Sequence, residues 1–245
     1  MTKKAIVTGG AQGIGAELVA ALIEADYEVG IIDIDSDALA EIAKRCKGVT
    51  PLPADVGNRA EVEAAFREFG SLDLLVNNAG IVRFGPLIDQ TQDDIQAVIS
   101  VNLMGSMLCA QQAAKRMQDI GGVIINMSSV NAVHPAPNVG LYAATKAAIA
   151  NLTQLQALEW GPLGIRVNAI APGFIDAGMS APIFADEKVR AKRSGGVPLH
   201  RLGTAADVIS AVLYLASDAA AYIHGHELVI DGGVINSVLA HLPRD

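Results

Sequence analysis

Short apolar runs alternate along the chain with longer stretches of helical periodicity. The apolar runs predict seven strands, at about residues 4–7, 28–33, 49–52, 72–76, 123–127, 165–170 and 227–230. The stretches between them predict helices that include residues 16–25, 37–44, 59–69, 92–117 and 141–160. Strands that alternate with helices are typical of βαβ units and a parallel sheet. The pattern therefore predicts an α/β fold, a doubly wound parallel sheet of about seven strands with helices on both faces.

The organisation of the chain indicates a single domain. Its 245 residues suit one large α/β domain or two small ones. No tandem repeat, low-complexity segment or linker divides the strand–helix pattern. We therefore expect one domain over residues 1–245.

Composition and charge exclude several classes of function. The formal net charge is −8 and the sequence pI is about 5.1, so a phosphate-rich nucleic acid would be repelled. The basic segment 188–193 also contains apolar residues and predicts the solvated face of a short helix. No apolar run approaches the ~20 residues that span a bilayer, and no signal peptide precedes the first strand. We therefore expect a cytoplasmic protein without a nucleic-acid or membrane partner.

Cysteine and histidine are poorly placed for a metal site. Cys46 and Cys109 are far apart in sequence and form no ligand pattern, which fits a reducing compartment. His224 and His226 flank Gly225 and would share one face of a strand, but no third ligand stands nearby. We expect no metal, and we place the two histidines on a strand near the surface or a subunit contact.

A glycine-rich turn follows the first predicted strand. The segment Thr8-Gly9-Gly10-Ala11-Gln12-Gly13-Ile14-Gly15 joins that strand to the first helix. Glycines let the backbone approach a pyrophosphate, and a helix N-terminus offers free N–H groups and the positive end of a dipole. Strand, turn and helix in this order predict a Rossmann-type dinucleotide site formed by Gly9, Gln12, Gly13, Ile14 and Gly15. Packing of the helix on the strand is the alternative reason for Gly13 and Gly15.

An acidic residue ends the second predicted strand. The Asp33 carboxylate can accept hydrogen bonds from the ribose hydroxyls of a dinucleotide, and it repels a 2′-phosphate. Residues 34–38 contain no arginine or lysine that could receive such a phosphate. The sequence therefore favours NAD over NADP as the cofactor. A solvated strand-end acid, or the cap of the next helix, is the alternative interpretation of Asp33.

Tyr142 stands four residues before Lys146, and Ser129 lies upstream at the end of a predicted strand. Residues four apart share one helix face, so the amine can lie beside the phenol. A free phenol has a pKa of about 10, and a neighbouring ammonium favours the phenolate, so we expect Lys146 to lower the Tyr142 pKa. A serine hydroxyl can donate to, or accept from, an oxygen that changes between alcohol and carbonyl. Together the three residues can move a proton while a nicotinamide exchanges the hydride.

The order and spacing of these motifs resemble the short-chain dehydrogenase/reductase family over nearly the whole chain. Further matches are Asp55-Val56, Asn77-Asn78-Ala79-Gly80, Asn102 in Ser-Val-Asn-Leu, Pro172-Gly173 and Asp231-Gly232-Gly233. The resemblance implies a catalytic tetrad of Asn102, Ser129, Tyr142 and Lys146. It also implies that the nucleotide contacts Asp55, Val56, Asn78, Ala79, Gly80, Tyr142, Lys146, Pro172, Gly173 and Ile175. Most of these residues follow strands, whose carboxyl ends meet at one edge of a parallel sheet.

Two assignments rest on this resemblance. Strand-end geometry does not distinguish Ser128 from Ser129, and family spacing selects Ser129. Asn102 alone would be an ordinary helix residue that bonds to its neighbours. The family role implied for it is to hold a water in a proton path from Lys146.

The chain also departs from the family pattern around the substrate. Ala177 stands where the family often has a threonine that bonds the nicotinamide carboxamide. The usual glycine after the serine pair is absent, so Asn131 and His134 either line the substrate pocket or only shape the loop. The expected substrate loop, at about residues 177–199, contains no recognisable code for a particular substrate.

The combined motifs predict an NAD-dependent oxidoreductase. It would interconvert a small secondary alcohol (a sugar alcohol, a diol or another hydroxy compound) and its ketone. A 3-oxoacyl-carrier-protein reductase is the alternative within this class, although such enzymes usually prefer NADP and Asp33 disfavours it. A non-catalytic dinucleotide-binding protein is the alternative from another class. The complete Ser–Tyr–Lys set argues against that last possibility.

Surplus apolar surface predicts a homo-oligomer. The helix over residues 141–160 is apolar on more than one face, and the tail over residues 234–242 is also apolar. The family resemblance implies two two-fold axes and therefore a homotetramer. A monomer whose tail folds over its own substrate loop is the alternative.

Overall fold

The computed structural model describes residues 2–237, and its strands form one parallel sheet. The strands are β1 (Lys3–Thr8), β2 (Tyr27–Asp33), β3 (Val49–Pro53), β4 (Leu74–Asn77), β5 (Gly122–Met127), β6 (Ile165–Pro172) and β7 (Glu227–Ile230). Their order is β3-β2-β1-β4-β5-β6-β7, and each neighbouring pair is parallel. The strand order reverses between β1 and β4, and open α/β sheets bind ligands in the crevice at such a reversal.

Helices connect the strands and cover both faces of the sheet. They are α1 (Gly13–Glu24), α2 (Ser36–Arg45), α3 (Arg59–Phe69), α4 (Gln92–Val98), α5 (Ser106–Met117), α6 (Tyr142–Trp160), α7 (Ala181–Phe184), α8 (Glu187–Gly196) and α9 (Ala205–Ala216). The doubly wound α/β sheet predicted from the sequence is confirmed.

Two apolar cores hold the helices against the sheet. Side chains alternate between the faces of a strand, so Ala5 and Val7 of β1 join one core and Ile6 joins the other. The first core packs against α1 and α9, and the second against α3 and α5. Because β1 is buried on both faces, it is apolar without alternation, which is typical of a central parallel strand.

The predicted helix over residues 92–117 is interrupted. A π-helical turn, Ile99–Gly105, separates α4 from α5 and contains the buried Asn102. A Cβ at Gly105 would lie 2.7 Å from Cγ2 of Val56, so this turn passes very close to the segment after β3. π-helical turns inside α-helices occur frequently at functional sites.

The prediction that His224 and His226 share a strand face is wrong. Strand β7 begins at Glu227, and Gly225 between the histidines has a φ of +70°, which ends the alternation of an extended chain. His224 instead links two elements. Its Nδ1 accepts from the Val167 N–H over 3.1 Å, and its Nε2 lies 2.8 Å from the Ala157 carbonyl oxygen.

The remaining helices bear on two expectations from the sequence, a solvated basic helix and the absence of a membrane span. The basic segment 188–193 lies in α8, none of whose residues is buried, so the prediction of a solvated helix is confirmed. Within the described range 2–237, no helix combines the length and the hydropathy needed to cross a membrane.

Candidate active site

Polar groups collect at the carboxyl edge of the sheet. The glycine-rich turn follows β1, Asp33 ends β2, Asn78 follows β4, and Ser129 stands two residues after β5. Each position was predicted from a motif that follows a strand. The parallel arrangement places all of these motifs along one edge, as expected for a single site.

The Ser129 hydroxyl acts on the Tyr142 phenol, because it favours the ionised form and so opposes the rise of the Tyr142 pKa. Tyr142 begins α6, and Ser129 precedes a short 3₁₀ turn, Val130–Ala132, which it caps by accepting from the Asn131 N–H. Ser128 has a different partner, because its hydroxyl donates to the Lys146 carbonyl oxygen over 3.2 Å. The neighbouring serines therefore have separate roles, and it is Ser129 that favours the ionised form of the phenol.

Lys146 is a buried cation beside the phenol. Its side chain is 3% exposed, and its Nζ lies 5.5 Å from the centroid of the Tyr142 ring. The Nζ donates to the main-chain carbonyl oxygen of Met127 over 2.7 Å. Burial disfavours the charged form and lowers the pKa of Lys146 to about 8. The amine is therefore still mainly charged at neutral pH.

The expected lowering of the Tyr142 pKa is not found. Burial raises the pKa of the phenol because the phenolate loses hydration, and the Ser129 hydrogen bond opposes this only in part. The sequence showed the neighbouring amine but gave no measure of how deeply the phenol is buried. In the protein without its cofactor, desolvation decides the direction of the shift.

Asn102 holds the loop after β4 against α6. Its Oδ1 accepts from the Ile81 N–H over 2.8 Å, and its Nδ2 donates to the Ile81 carbonyl over 2.9 Å. Its Nδ2 also lies 3.1 Å from the Thr145 hydroxyl, which itself donates to the Tyr142 carbonyl oxygen. The main-chain carbonyl of Asn102 accepts from Ser106 over 2.7 Å. Both N–H groups of the Asn102 side-chain amide, and one lone pair of its oxygen, thus engage protein groups.

The glycine-rich turn has the shape of a phosphate cradle. Gly9 and Gly13 have φ values of +61° and +55°, which favour glycine, and a Cβ at Gly15 would lie 2.1 Å from the Gly9 carbonyl oxygen. No side chain caps the N-terminus of α1, because the Gln12 amide donates instead to Asp35. Free N–H groups and close backbone approach fit a dinucleotide pyrophosphate. Ile14 follows, half-buried, in the first turn of α1.

Asp33 lies directly beside this turn. One carboxylate oxygen accepts from the Ala11 N–H and the other from the Asp35 N–H, each over 3.1 Å. Each oxygen has a second lone pair that a ribose hydroxyl can use. The alternative of a helix cap applies to Asp35, whose side chain accepts from the Ala38 N–H at the start of α2.

The residues after β3 and β4 shape the floor of the crevice. Asp55 accepts from the Gly57 N–H over 2.8 Å, and Val56 is buried. The Asn78 amide donates to the carbonyl oxygens of Thr8 and Gly9, so it fastens the glycine-rich turn to β4. Gly80 lies beside two polar side chains of the site, since a Cβ at this position would be 3.5 Å from both Asn102 Oδ1 and Lys146 Nζ.

The segment after β6 closes the opposite wall. A Cβ at Gly173 would lie 2.7 Å from the Asp231 Cβ, so Pro172-Gly173 packs tightly on the Asp231-Gly232-Gly233 turn. The residues on either side of Ile175 form a β-bridge with Gly203: the Gly203 N–H donates to the Phe174 carbonyl oxygen, and the Asp176 N–H donates to the Gly203 carbonyl oxygen. Within residues 2–237 the N–H of Ile175 itself has no hydrogen-bond acceptor. We propose that this N–H contacts the nicotinamide carboxamide, because Ala177 has no hydroxyl for that role.

The two candidate substrate residues differ in their surroundings. His134 is exposed, whereas Asn131 contacts Ser129 through both its main-chain and its side-chain nitrogen. Gly178, at the start of the expected substrate loop, touches the glycine-rich turn, since a Cβ at Gly13 would lie 2.7 Å from its Cα. The first residues of this loop therefore border the cofactor crevice.

Sequence reasoning missed two residues of this network. The Thr8 hydroxyl accepts from the N–H groups of Asn78 and Ala79, and Thr145 connects Asn102 with α6. A polar residue at the end of an apolar strand was the available signal for Thr8. Among residues 2–237, no cluster of histidine, cysteine or acidic side chains could hold a metal ion.

Comparison with known sequences finds relatives that extend over almost the entire chain. A family model described as enoyl-(acyl carrier protein) reductase matches residues 9–235. The 3-oxoacyl-[acyl-carrier-protein] reductase of Staphylococcus aureus is 38% identical over 244 residues, covering 96% of this chain and 98% of that protein. The L-2,3-butanediol dehydrogenase of Corynebacterium glutamicum is 33% identical over 256 residues, with coverages of 96% and 99%.

A solved structure shares the same architecture. The crystal structure of a gluconate 5-dehydrogenase from Burkholderia cenocepacia, in complex with NADP and tartrate, matches with a TM-score of 0.91. The two chains are 34% identical, and the match covers 96% of each. Family model, relatives and architecture agree with the motifs at the sheet edge, and the chain belongs to the short-chain dehydrogenase/reductase family of oxidoreductases.

Proposed function

We propose that the protein is an NAD-dependent oxidoreductase that interconverts a secondary alcohol and its ketone. The substrate would be a sugar alcohol, a diol or another small hydroxy compound. One arrangement carries this proposal: the Ser129 hydroxyl favours the ionised form of the Tyr142 phenol, Lys146 Nζ lies 5.5 Å from the centroid of the same ring, and the glycine-rich turn lies at the same edge of the sheet. A proton-transfer group and a dinucleotide cradle in one crevice meet the requirements of hydride transfer at a carbinol carbon.

The residues have distinct roles in this proposal. Tyr142 exchanges the proton with the substrate oxygen, and Ser129 donates a hydrogen bond that orients the same oxygen. Lys146 holds the nicotinamide ribose and supplies positive charge near the phenol. When bound, the nicotinamide supplies or accepts the hydride. Asn102 fixes the loop at Ile81 and, through Thr145, the first turn of α6.

The proposed preference for NAD rests on Asp33. A 2′-phosphate at this position would meet the carboxylates of Asp33 and Asp35, which share one turn. Ile34 between them is exposed and offers no positive charge. A related structure contains NADP, so the preference must be measured directly.

A second candidate is a 3-oxoacyl-carrier-protein reductase. Its support is the 38% identical relative that carries this name. Both candidates use the same Ser129–Tyr142 pair, so the site geometry does not separate them. The substrate and the nucleotide separate them, because a thioester reductase should accept a 3-oxoacyl thioester with the reduced cofactor.

The test is a substrate panel followed at 340 nm. Purified protein is assayed with sugar alcohols, diols and simple secondary alcohols, and in the reverse direction with ketones and a 3-oxoacyl thioester. Each substrate is paired with NAD(H) and with NADP(H). We expect turnover of a secondary alcohol with NAD, and a loss of ~10²–10⁴-fold in Tyr142→Phe. Nucleotide binding by Tyr142→Phe serves as the folding control.

The outcomes are distinct. Best activity on the thioester with NADPH would replace the first candidate by the second. Nucleotide binding without turnover on the whole panel would indicate a non-catalytic binding protein. Near-normal turnover by Tyr142→Phe would remove the phenol from the proposed mechanism.

A further inference from the structure

Asn131 surrounds the Ser129 hydroxyl with hydrogen-bond donors. The Asn131 main-chain N–H donates to Ser129 Oγ over 3.1 Å. The Asn131 side-chain Nδ2 lies 3.4 Å from the same oxygen. A third hydrogen bond joins the Ala136 N–H to Asn131 Oδ1 over 2.8 Å.

The third bond fixes which way the side-chain amide faces. A main-chain N–H can only donate, so the atom that faces Ala136 must be the oxygen of the amide. The atom that faces Ser129 is consequently the NH₂ group, and a flipped amide would place two donors against each other at Ala136. The orientation therefore follows from the hydrogen-bond network.

A serine hydroxyl has two acceptor lone pairs and one hydrogen. The two N–H groups of Asn131 occupy both lone pairs, and only the hydrogen remains for Tyr142 or a substrate. We propose that Asn131 is a positioning residue that makes Ser129 a hydrogen-bond donor towards Tyr142 and the substrate oxygen. This inference rests on the proposed function, and it adds an assignment for a residue outside the Ser–Tyr–Lys set.

A donor at Ser129 has chemical consequences. The hydrogen stabilises the phenolate of Tyr142 when no substrate is present, which agrees with the direction in which Ser129 shifts the phenol. When a ketone or alkoxide oxygen binds, the same hydrogen polarises or stabilises that oxygen. An acceptor at Ser129 would do neither.

Replacement of Asn131 by aspartate reverses this polarity with almost no change of shape. One oxygen of the introduced carboxylate would still accept from the Ala136 N–H, so the loop contact survives. The other oxygen would face Ser129 and take the hydroxyl hydrogen away from Tyr142. Asn131→Ala, in contrast, loses the loop contact but leaves the main-chain donor on Ser129. The two variants therefore separate positioning of Ser129 from shaping of the loop.

The two possible roles of Asn131, positioning Ser129 or shaping the loop, predict opposite orders for the loss of kcat/KM in Asn131→Asp and Asn131→Ala. We expect Asn131→Asp to lower kcat/KM by at least ~10-fold, the scale of one hydrogen bond to a charged group, and Asn131→Ala by less than ~5-fold. In the Ser129→Ala background, Asn131→Asp should have little further effect, because the hydroxyl it redirects is absent. A loss in Asn131→Ala equal to or larger than that in Asn131→Asp would overturn the proposal, as would an undiminished effect in the Ser129→Ala background.

A ligand-free measurement keeps this test separate from the proposed function. The tyrosinate absorbance near 295 nm is titrated in the wild type, Asn131→Asp and Asn131→Ala, with Tyr142→Phe used to subtract the other tyrosines. We expect Asn131→Asp to move the Tyr142 titration to higher pH by more than the same change does in the Ser129→Ala background, where the introduced carboxylate acts through its charge alone, and Asn131→Ala to move it much less. An unchanged titration in Asn131→Asp would overturn the proposal. If no substrate is turned over, the proposed reaction fails while this titration still decides the role of Asn131.

Discussion

The Nζ of Lys146 donates to the main-chain carbonyl oxygen of Met127, the last residue of β5, over 2.7 Å. This bond ties α6 to the strand that leads into Ser129, so the phenol and the serine are positioned by the same pair of elements. It also satisfies an amine that is otherwise enclosed by protein. The ammonium makes this bond with the help of its charge, and the neutral amine keeps a weaker donor for the same carbonyl oxygen.

The buried amine should make stability depend on pH. In the folded protein its pKa is about 8, against 10.5 for the free side chain. Between these values the unfolded chain binds more protons than the folded chain, so the free energy of unfolding rises with pH. Below about pH 8 both states are protonated, and the penalty for burying the charge is fully present.

Lys146→Met tests this dependence because it removes the charge and keeps a similar length. We expect the stability of the wild type relative to Lys146→Met to be lowest below about pH 8 and to improve as the pH rises towards 10.5. Denaturant unfolding of both proteins at a series of pH values measures the difference. A difference that stays constant from neutral pH to 10.5 would contradict a lowered pKa at Lys146.

The sequence predicted those features that depend on neighbouring residues. The glycine-rich turn, Asp33 and the Tyr142–Lys146 pair each lie within one short segment, so spacing was enough to place them. The π-helical turn at Asn102 depends on the close approach of Gly105 to Val56, which are far apart in sequence. The separate partners of Ser128 and Ser129, and the direction of the Tyr142 pKa shift, depend on packing between elements.

Cofactor preference should follow the charge at the end of β2. The double change Asp33→Ala with Ile34→Arg removes a repulsive carboxylate and adds a partner for a 2′-phosphate. We expect the ratio of NADP to NAD affinity to rise, with Asp33→Ala alone giving a smaller change. Fluorescence titration of both nucleotides measures the ratio without a substrate. An unchanged ratio in the double variant would reject the assignment of Asp33 to the ribose.

The tight glycine-rich turn should not accept a side chain at Gly15. A Cβ there would lie 2.1 Å from the Gly9 carbonyl oxygen and 2.7 Å from Asn78 Nδ2. We expect Gly15→Ala to weaken nucleotide binding and to lower Tm, by roughly 2–4 °C for each kcal/mol lost in a chain of this size. Gly195→Ala is the matched control, because a Cβ at Gly195 in α8 would have no neighbour within 4 Å. If Gly15→Ala and Gly195→Ala change nucleotide binding and Tm equally, the turn accepts a Cβ at position 15 and this prediction is wrong.

Helix α6 carries an apolar face that stays exposed among residues 2–237. Ile149 is buried in the subunit, whereas Leu155 and Leu158, three residues apart on the same helix, are 50% and 78% exposed. The other apolar segment predicted from the sequence, 234–242, extends beyond the described residues from position 238. Exposed apolar surface of this kind usually meets another protein surface.

We expect this face of α6 to be a two-fold contact in a homotetramer. Closed symmetric assemblies bury the same surface patch on two subunits, so a charge placed there repels its own copy. Leu158→Glu should therefore reduce the assembly, while Glu159→Gln, an exposed neighbour on the same helix, should leave it intact. Light scattering at micromolar concentration measures the mass against the 25.4 kDa of one chain. A wild-type mass of one chain would reject an oligomer, and a mass of two chains would reject the tetramer alone. If Leu158→Glu leaves the mass unchanged, this face of α6 is not the subunit contact.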